Sequence, residues 1–315
     1  MRALVVSNML PSAASPERGR FVRDQVEALR GLHSLDGLEI ELYELAPGPR
    51  SLARGARDLR RRFAGERFDV VHAHFGLSAW PALAVRARVR ALTVHGTDLR
   101  HPRTRLLTGL AIPFMDILAT ASAPLIAELP APSMRRRALV LPCGVDLERF
   151  HPIPRARART QLNLDPERPF LLFPASAARP EKRHDRALAL ARAAGVELRA
   201  LGGVDPELVP LWVNAAAAVL VPSEREGFGL AVLEALACDV PVLATPVGVH
   251  PEALRDVAGT LCATFELDVW RAALDPHMRA PDPRISGRAR AESFSAQRMA
   301  ERVAAAWRAA LERTG

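Results

Sequence analysis

The chain reads as an α/β protein of two doubly wound, Rossmann-like domains. Three observations predict this. Short apolar runs alternate with helical spacings from end to end. The 315 residues, 49% hydrophobic, suffice for two cores. The strand pattern also restarts at Pro169, after a polar stretch. Two such domains are expected to face each other over a cleft.

In order, residues 3–7 are the first apolar run, and 9–20 a loop with Pro11, Pro16 and Gly19. Apolar or small residues at 21/22, 25/26 and 29 predict a helix over 21–32, and 38–45 reads as strand two. Over 51–64, Leu52, Ala56, Leu59 and Phe63 recur at helical spacing and should face the core. Arg50, Arg54, Arg57 and Arg61 recur on another face. That face is either solvated or docked on an anionic membrane, where each arginine is worth roughly 1 kcal/mol.

Strand three, 69–74, ends in His72-Ala73-His74, a helix is expected over 79–89, and strand four, 91–94, delivers His95-Gly96-Thr97-Asp98. Both histidine groups fall at C-terminal strand edges, where open α/β sheets bind ligands. His72 reads as structural, His95 as functional. Their spacing supplies no third metal ligand. Residues 116–121 and 138–141 complete the first set of strands, with Arg135-Arg136-Arg137 as a solvated turn. The first domain is placed at 1–150, the second at 151–294, and a last helix at about 295–315.

In the second domain a polar helix over 155–164 precedes the strand 169–175 and then Arg179-Pro180-Glu181-Lys182. Helix 183–194, strand 196–201 and the turn Gly202-Gly203-Val204 follow. The densest stretch is 219–252. A buried strand stops at Pro222, Glu226-Gly227-Phe228-Gly229 makes a turn, helix 230–238 begins at Leu230, and strand 240–244 comes next. A strand feeding a turn and a helix start is where α/β proteins hold anions. Glu226 and Glu234 bracket that turn.

Composition narrows the function classes. Residues 1–150 hold 22 Arg and 15 acids, a balance of 22 − 15 = +7; residues 151–315 hold 21 Lys/Arg and 20 acids, 21 − 20 = +1. A basic half can face nucleic acid, anionic lipid or an anionic substrate. Aromatics are only 5% and do not interleave the arginines, which argues against nucleic acid. No apolar run reaches the length of about 18 residues that a membrane-spanning helix needs. The start of the chain reads as a strand rather than a signal peptide. Cys143, Cys238 and Cys262 have no metal-ligand spacing and suit a reducing cytoplasm. Lys182 is the one lysine among 43 basic residues, and its compact ammonium is not interchangeable with a guanidinium.

The block from Pro222-Ser223 through Glu226-Gly227-Phe228-Gly229, Glu234-Ala-Leu-Ala-Cys238, Pro241-Val242 and Pro251-Glu252 resembles the retaining glycosyltransferases of family four. Glu226 and Glu234 match that family's Glu-x7-Glu motif. The resemblance covers nearly the whole chain, including His-Ala-His, His95-Gly-Thr-Asp98 and the interdomain text Pro142-Cys143-Gly144-Val145-Asp146, where the family usually has Asn in place of Cys143.

The resemblance implies a GT-B fold, with the C-terminal helix crossing back to the first domain. It also implies transfer from a UDP- or GDP-linked sugar to a glycan or lipid-linked acceptor in envelope or exopolysaccharide synthesis. Its catalytic set is His95, Arg179, Lys182 and Glu226. Donor binding adds Gly19, Gly203, Gly227, Phe228, Gly229, Leu230 and Glu234; acceptor binding falls to His74 and Asp98. Arg179 and Lys182 stand three apart, as in a branch with Arg-Pro-x-Lys, whereas many members space them by five. No cofactor or metal is implied, since a basic phosphate clamp does the work of a cation. The expected place is the cytoplasm, either free there or peripheral on the inner face of the membrane. A sugar-nucleotide epimerase or phosphorylase of the same fold, and a catalytically silent subunit, are the rival readings.

Overall fold

Residues 1–13, 15–32 and 37–314 are described here from a computed structural model. The chain forms two compact units: Met1–Ser12 with Arg18–Gly144 and Ala296–Gly315, and Val145–Ser295 with the short piece Ala13–Glu17. Residue 315, the end of the expected last helix, lies outside the described residues.

The first unit is built on β1 (Arg2–Ser7), β2 (Glu39–Glu44), β3 (Arg67–His74), β4 (Arg86–Val94), β5 (Ile117–Thr120) and β6 (Leu139–Val140). The order is β2-β1-β3-β4-β5-β6, every pair parallel. Strand alternation sends Leu4 and Val6 to one face and Ala3 and Val5 to the other. On one face they meet Leu59 of the helix Pro49–Arg62 and Phe63 just beyond it. On the other they meet Val22, Val26 and Leu29 of the helix Arg20–Arg30, and Val303 and Trp307 of the C-terminal helix Ala296–Thr314. The last helix is thus part of the first unit's core.

The second unit carries β7 (Phe170–Phe173), β8 (Glu197–Ala200), β9 (Ala218–Val221), β10 (Val242–Ala244) and β11 (Leu261–Cys262). Its order is β11-β10-β9-β7-β8, again parallel. Leu171, Phe173, Leu220 and Leu243 form its core with Leu190, Trp270 and Leu274. Three free cysteines are seen; Cys143 and Cys238 are buried, and burial pushes both thiols up to about 12. Among the described residues no helix is long and apolar enough to cross a membrane.

Three local expectations change. The helix expected over 79–89 is a short turn of helix, Ala79–Ala82, and Arg86–Val94 is strand. Its arginines at 86, 88 and 90 alternate with Ala87, Val89 and Ala91, the period of a strand. The arginine triplet 135–137 closes a helix, Pro132–Arg137, rather than a turn. The polar linking helix is not solvated throughout: Arg155 and Arg159, one turn apart in Arg155–Gln161, are buried. Arg159 donates to the carbonyls of Ala215 at 2.9 Å and Pro166 at 2.6 Å, so the buried charge is solvated by backbone.

Candidate active site

In the second sheet the chain leaves β7 for β8 on one side and reaches β9 on the other. The gap beyond the C-terminal ends of β7 and β9 is therefore a topological switch point, the usual ligand crevice of such sheets. A pocket lies there. It is lined by Phe173 to Ala175 after β7, Val221 and Ser223 after β9, Lys182, Glu226, and the start of the helix Leu230–Ala237.

Lys182 Nζ lies 2.7 Å from both carboxylate oxygens of Glu226, and Ser223 Oγ donates to Oε1 at 2.7 Å. Both side chains are largely buried, 16% and 7% exposed. Burial alone would raise the Glu226 carboxyl, but the Lys182 charge and the hydrogen bonds outweigh it and hold the group below the usual carboxylate range. The two loops are joined by the Glu224 amide, which donates to the Glu181 carbonyl at 2.9 Å. Arg179 does not join the pair; its guanidinium is on Glu181 at 2.7 Å and is about half exposed.

Gly229 caps the helix start with φ 103°, a conformation that favours glycine. A Cβ there would lie 2.4 Å from His250 Nε2. His250 is fully buried, and its Nδ1 lies 2.8 Å from the Thr245 carbonyl. A carbonyl only accepts, so Nδ1 holds the proton and Nε2 presents a lone pair behind Gly229. Phe228 is buried and its carbonyl takes the Val249 amide at 2.8 Å. Glu234 is partly exposed on the next turn of the helix, on the side of Leu230. Gly203 sits in the exposed turn after β8 with φ 77°.

The first unit gathers a second cluster at the ends of β3 and β4. His72 and His74 stack at 4.7 Å between ring centroids, and His74 and His95 at 5.2 Å. Trp307 Nε1 donates to His72 Nδ1 at 3.3 Å. Indole only donates, so His72 is protonated on Nε2, which reaches Thr93 Oγ1 at 2.8 Å. His74 Nδ1 and His95 Nε2 are 3.0 Å apart, while His74 Nε2 is buried without a hydrogen-bond partner. An orphan donor is rarer than an orphan acceptor. The shared proton therefore belongs on His74 Nδ1, which leaves His95 protonated on Nδ1. Burial pushes His72 and His95 down to about 3 and His74 well below the usual imidazole range, so all three are neutral near pH 7. Phe21 and Phe75 pack on the His95 ring at 4.9 and 4.6 Å.

The two residues expected at the acceptor are both buried. Asp98 is 4% exposed, and its oxygens accept the amides of Gly76, His95 and Gly96 at 2.8 to 3.3 Å. It holds the turn that carries His95. Burial raises its carboxyl to about 6 despite those bonds. His74, 2% exposed, is likewise packed between rings. Gly19 caps the Arg20–Arg30 helix with φ 74°, where a Cβ would strike the Met9 carbonyl at 2.3 Å.

Residues 12–149 match the family model described as Glycosyltransferase Family 4, and 178–284 that of Glycosyl transferases group 1. The D-inositol 3-phosphate glycosyltransferase of Actinosynnema mirum is 31% identical over 96% of this chain and 85% of its own. The chain belongs to glycosyltransferase family four. A second such enzyme, from Frankia alni, is 30% identical over 88% of this glycosyltransferase and 80% of its own length. Sucrose-phosphate synthase from Thermosynechococcus elongatus superposes with a TM-score of 0.73 at 18% identity, over 98% of each chain. Anabaena HepE, solved with UDP and glucose, gives 0.71 at 16% identity, over 98% of this glycosyltransferase and 100% of its own chain. The fold is that of the GT-B glycosyltransferases.

In this glycosyltransferase Lys182, Glu226, Gly229 and Leu230 share one pocket, and His74 and His95 one cluster. Ser223 and His250 were missed from sequence. Ser223 had a signal, as the residue after Pro222 at a strand end. His250 had little, since nothing local shows that a histidine six residues past β10 tucks under Gly229.

Proposed function

We propose that this glycosyltransferase moves a sugar, with retention, from a UDP- or GDP-linked donor to a glycan or lipid-linked acceptor at the cytoplasmic face of the membrane, in envelope or exopolysaccharide synthesis. The observation that carries the reading is the Lys182–Glu226 pair in a switch-point pocket beside a helix start. A leaving diphosphate gathers negative charge. Lys182 and the amides at Gly229 and Leu230 are the preorganised positive groups in reach of that pocket. The diphosphate and Glu226 compete for one ammonium, so donor entry frees the carboxylate for sugar hydroxyls. Arg179 would have to leave Glu181 to add its charge. Glu234 takes the ribose hydroxyls, Gly203 lies by the base, and Gly19 by the phosphates.

The chemical step is a front-face displacement. The acceptor oxygen bonds to the anomeric carbon on the side from which the phosphate oxygen departs, and the acceptor proton passes to that phosphate oxygen. His95, neutral with an N–H on Nδ1, contacts the sugar as a hydrogen-bond donor. No metal enters this scheme, because Lys182 and backbone amides supply the positive field.

The basic first unit also favours a second acceptor class, a phosphorylated polyol, in keeping with the inositol phosphate in the relatives' names. The test is turnover of UDP- and GDP-sugars in EDTA, with the product's anomeric configuration read by NMR. Retention is expected; inversion, or activity that returns only with magnesium, contradicts the scheme.

A further inference from the structure

The outer face of the helix Pro102–Ala111, with the turn after it, carries large apolar side chains in water. Leu106, Leu110 and Phe114 follow one another at four-residue spacing and are 64, 53 and 56% exposed, with Leu107 beside them at 41%. Trp80 joins them, its indole donating to the Leu107 carbonyl at 3.3 Å. A soluble helix carries polar residues on such a face, and a grouped apolar surface marks an interaction site. The inner face is fixed in place: Thr108, Ala111 and Ile112 are buried, and Thr108 Oγ1 donates to the Asp98 carbonyl at 3.3 Å.

The rim is cationic. Arg103 and Arg105 are exposed on the same helix. At its far end Arg137 donates to the carbonyls of Ile112 and Met115 at 2.6 and 2.9 Å, which brings the exposed Arg135–Arg137 run alongside. No Asp or Glu occurs between 99 and 115 or between 129 and 145. We propose that this face docks on a bilayer containing anionic lipid, the apolar strip entering the interface and the arginines meeting headgroup phosphates.

A second copy of the chain is the poorer occupant, because two arginine rims would meet. The helix Pro49–Arg62, the earlier candidate for this role, offers charge alone. Among its described residues no large apolar side chain is exposed, and Arg61 and Arg62 are paired with Asp58 and Glu41 at 2.9 Å. The docking surface stands apart from the proposed reaction. Its link to a lipid-linked acceptor does rest on that reading, through Thr108 and the Asp98 turn that carries His95.

The test is flotation of the full chain with vesicles of phosphatidylcholine alone or mixed with phosphatidylglycerol. Binding to the mixed vesicles only is expected. The triple variant Leu106→Ser/Leu110→Ser/Phe114→Ser should lower it about tenfold or more at unchanged melting temperature. Arg50→Ser/Arg54→Ser/Arg57→Ser should change it by no more than about twofold. No flotation at low salt, full flotation of the apolar variant, or a solution dimer that the apolar variant dissolves would each overturn the proposal. Transfer to a soluble acceptor is measured on the same proteins. If it persists while flotation fails, the surface falls and the reaction reading stands.

Discussion

Lys182 holds Glu226 through both of its carboxylate oxygens, at 2.7 Å each, inside a pocket that the C-terminal ends of β7 and β9 frame. Removing one partner strands the other. Lys182→Ala should cost about 3–5 kcal/mol of stability, because Glu226 stays buried without the ammonium that both of its oxygens face. Lys182→Met/Glu226→Gln removes both charges and should regain most of it. Both variants should lose at least about a hundredfold in turnover. Urea unfolding beside initial rates separates the two effects. A double variant as unstable as the single one would mean that packing, not charge, holds the loops.

His74 acts on His95 through one hydrogen bond, so the proton it donates can be tested by replacement. Asn places an N–H near Nδ1 of the histidine it replaces; Phe keeps the ring and removes the donor. His74→Asn should stay within about tenfold of wild-type turnover, and His74→Phe should fall about a hundredfold. The nitrogen-15 shifts of His95 should show Nδ1 protonated in the wild type and not in His74→Phe. A wild-type His95 protonated on Nε2 would refute the tautomer assignment.

Gly229 is fixed by its positive φ and by the His250 ring behind it. Gly229→Ala should cost about 1–3 kcal/mol and raise KM for the donor, since the helix start must move. Adding His250→Ala removes the clash but not the backbone strain, so thermal melts should show partial recovery. Full recovery would mean that the φ angle carries no strain.

Stability should depend on pH through the buried histidines. Their folded pKa values lie below the unfolded 6.5, so the unfolded chain binds more protons in acid. That stability is fully present above about pH 6.5 and is lost as pH falls, at about 1.4 kcal/mol per pH unit for each histidine. Asp98 works the other way: raised from 3.8 to about 6, it favours folding more as pH drops through that range. These three histidines, with His250 lowered by burial in the same direction, outweigh one carboxylate and leave a net loss between pH 6.5 and 5. Unfolding by urea should show it, and His72→Phe should flatten the slope. A rise in stability on acidification would contradict the assignment.

Much of this architecture was legible because its signals are local. Apolar runs such as 219–221, stopped by Pro222, announce buried parallel strands, and the Glu226–Gly229 turn with its following helix marks an anion-ready strand end. Residues 86–89, the start of β4, were misread because Ala87 favours helix while the alternation favours strand, and burial against β3 decided between them; the rest of β4 was read as strand. The burial of Arg159 and Asp98 was not legible for another reason. A charged residue is expected in water unless backbone partners from distant segments enclose it, and those partners, Ala215 for one and Gly76 for the other, are 56 and 22 residues away. His250 is of the same kind. Pairings across the chain, not composition, give these residues their places.

The central claim is that the Lys182–Glu226 pocket binds the donor's diphosphate. Calorimetric titration of UDP and GDP in EDTA, into the wild type and into folded Lys182→Met/Glu226→Gln, tests it most directly. One nucleotide should bind the wild type and bind the variant at least about tenfold more weakly, at similar melting temperature. Equal affinity for the two proteins, or binding only after magnesium is added, would contradict it.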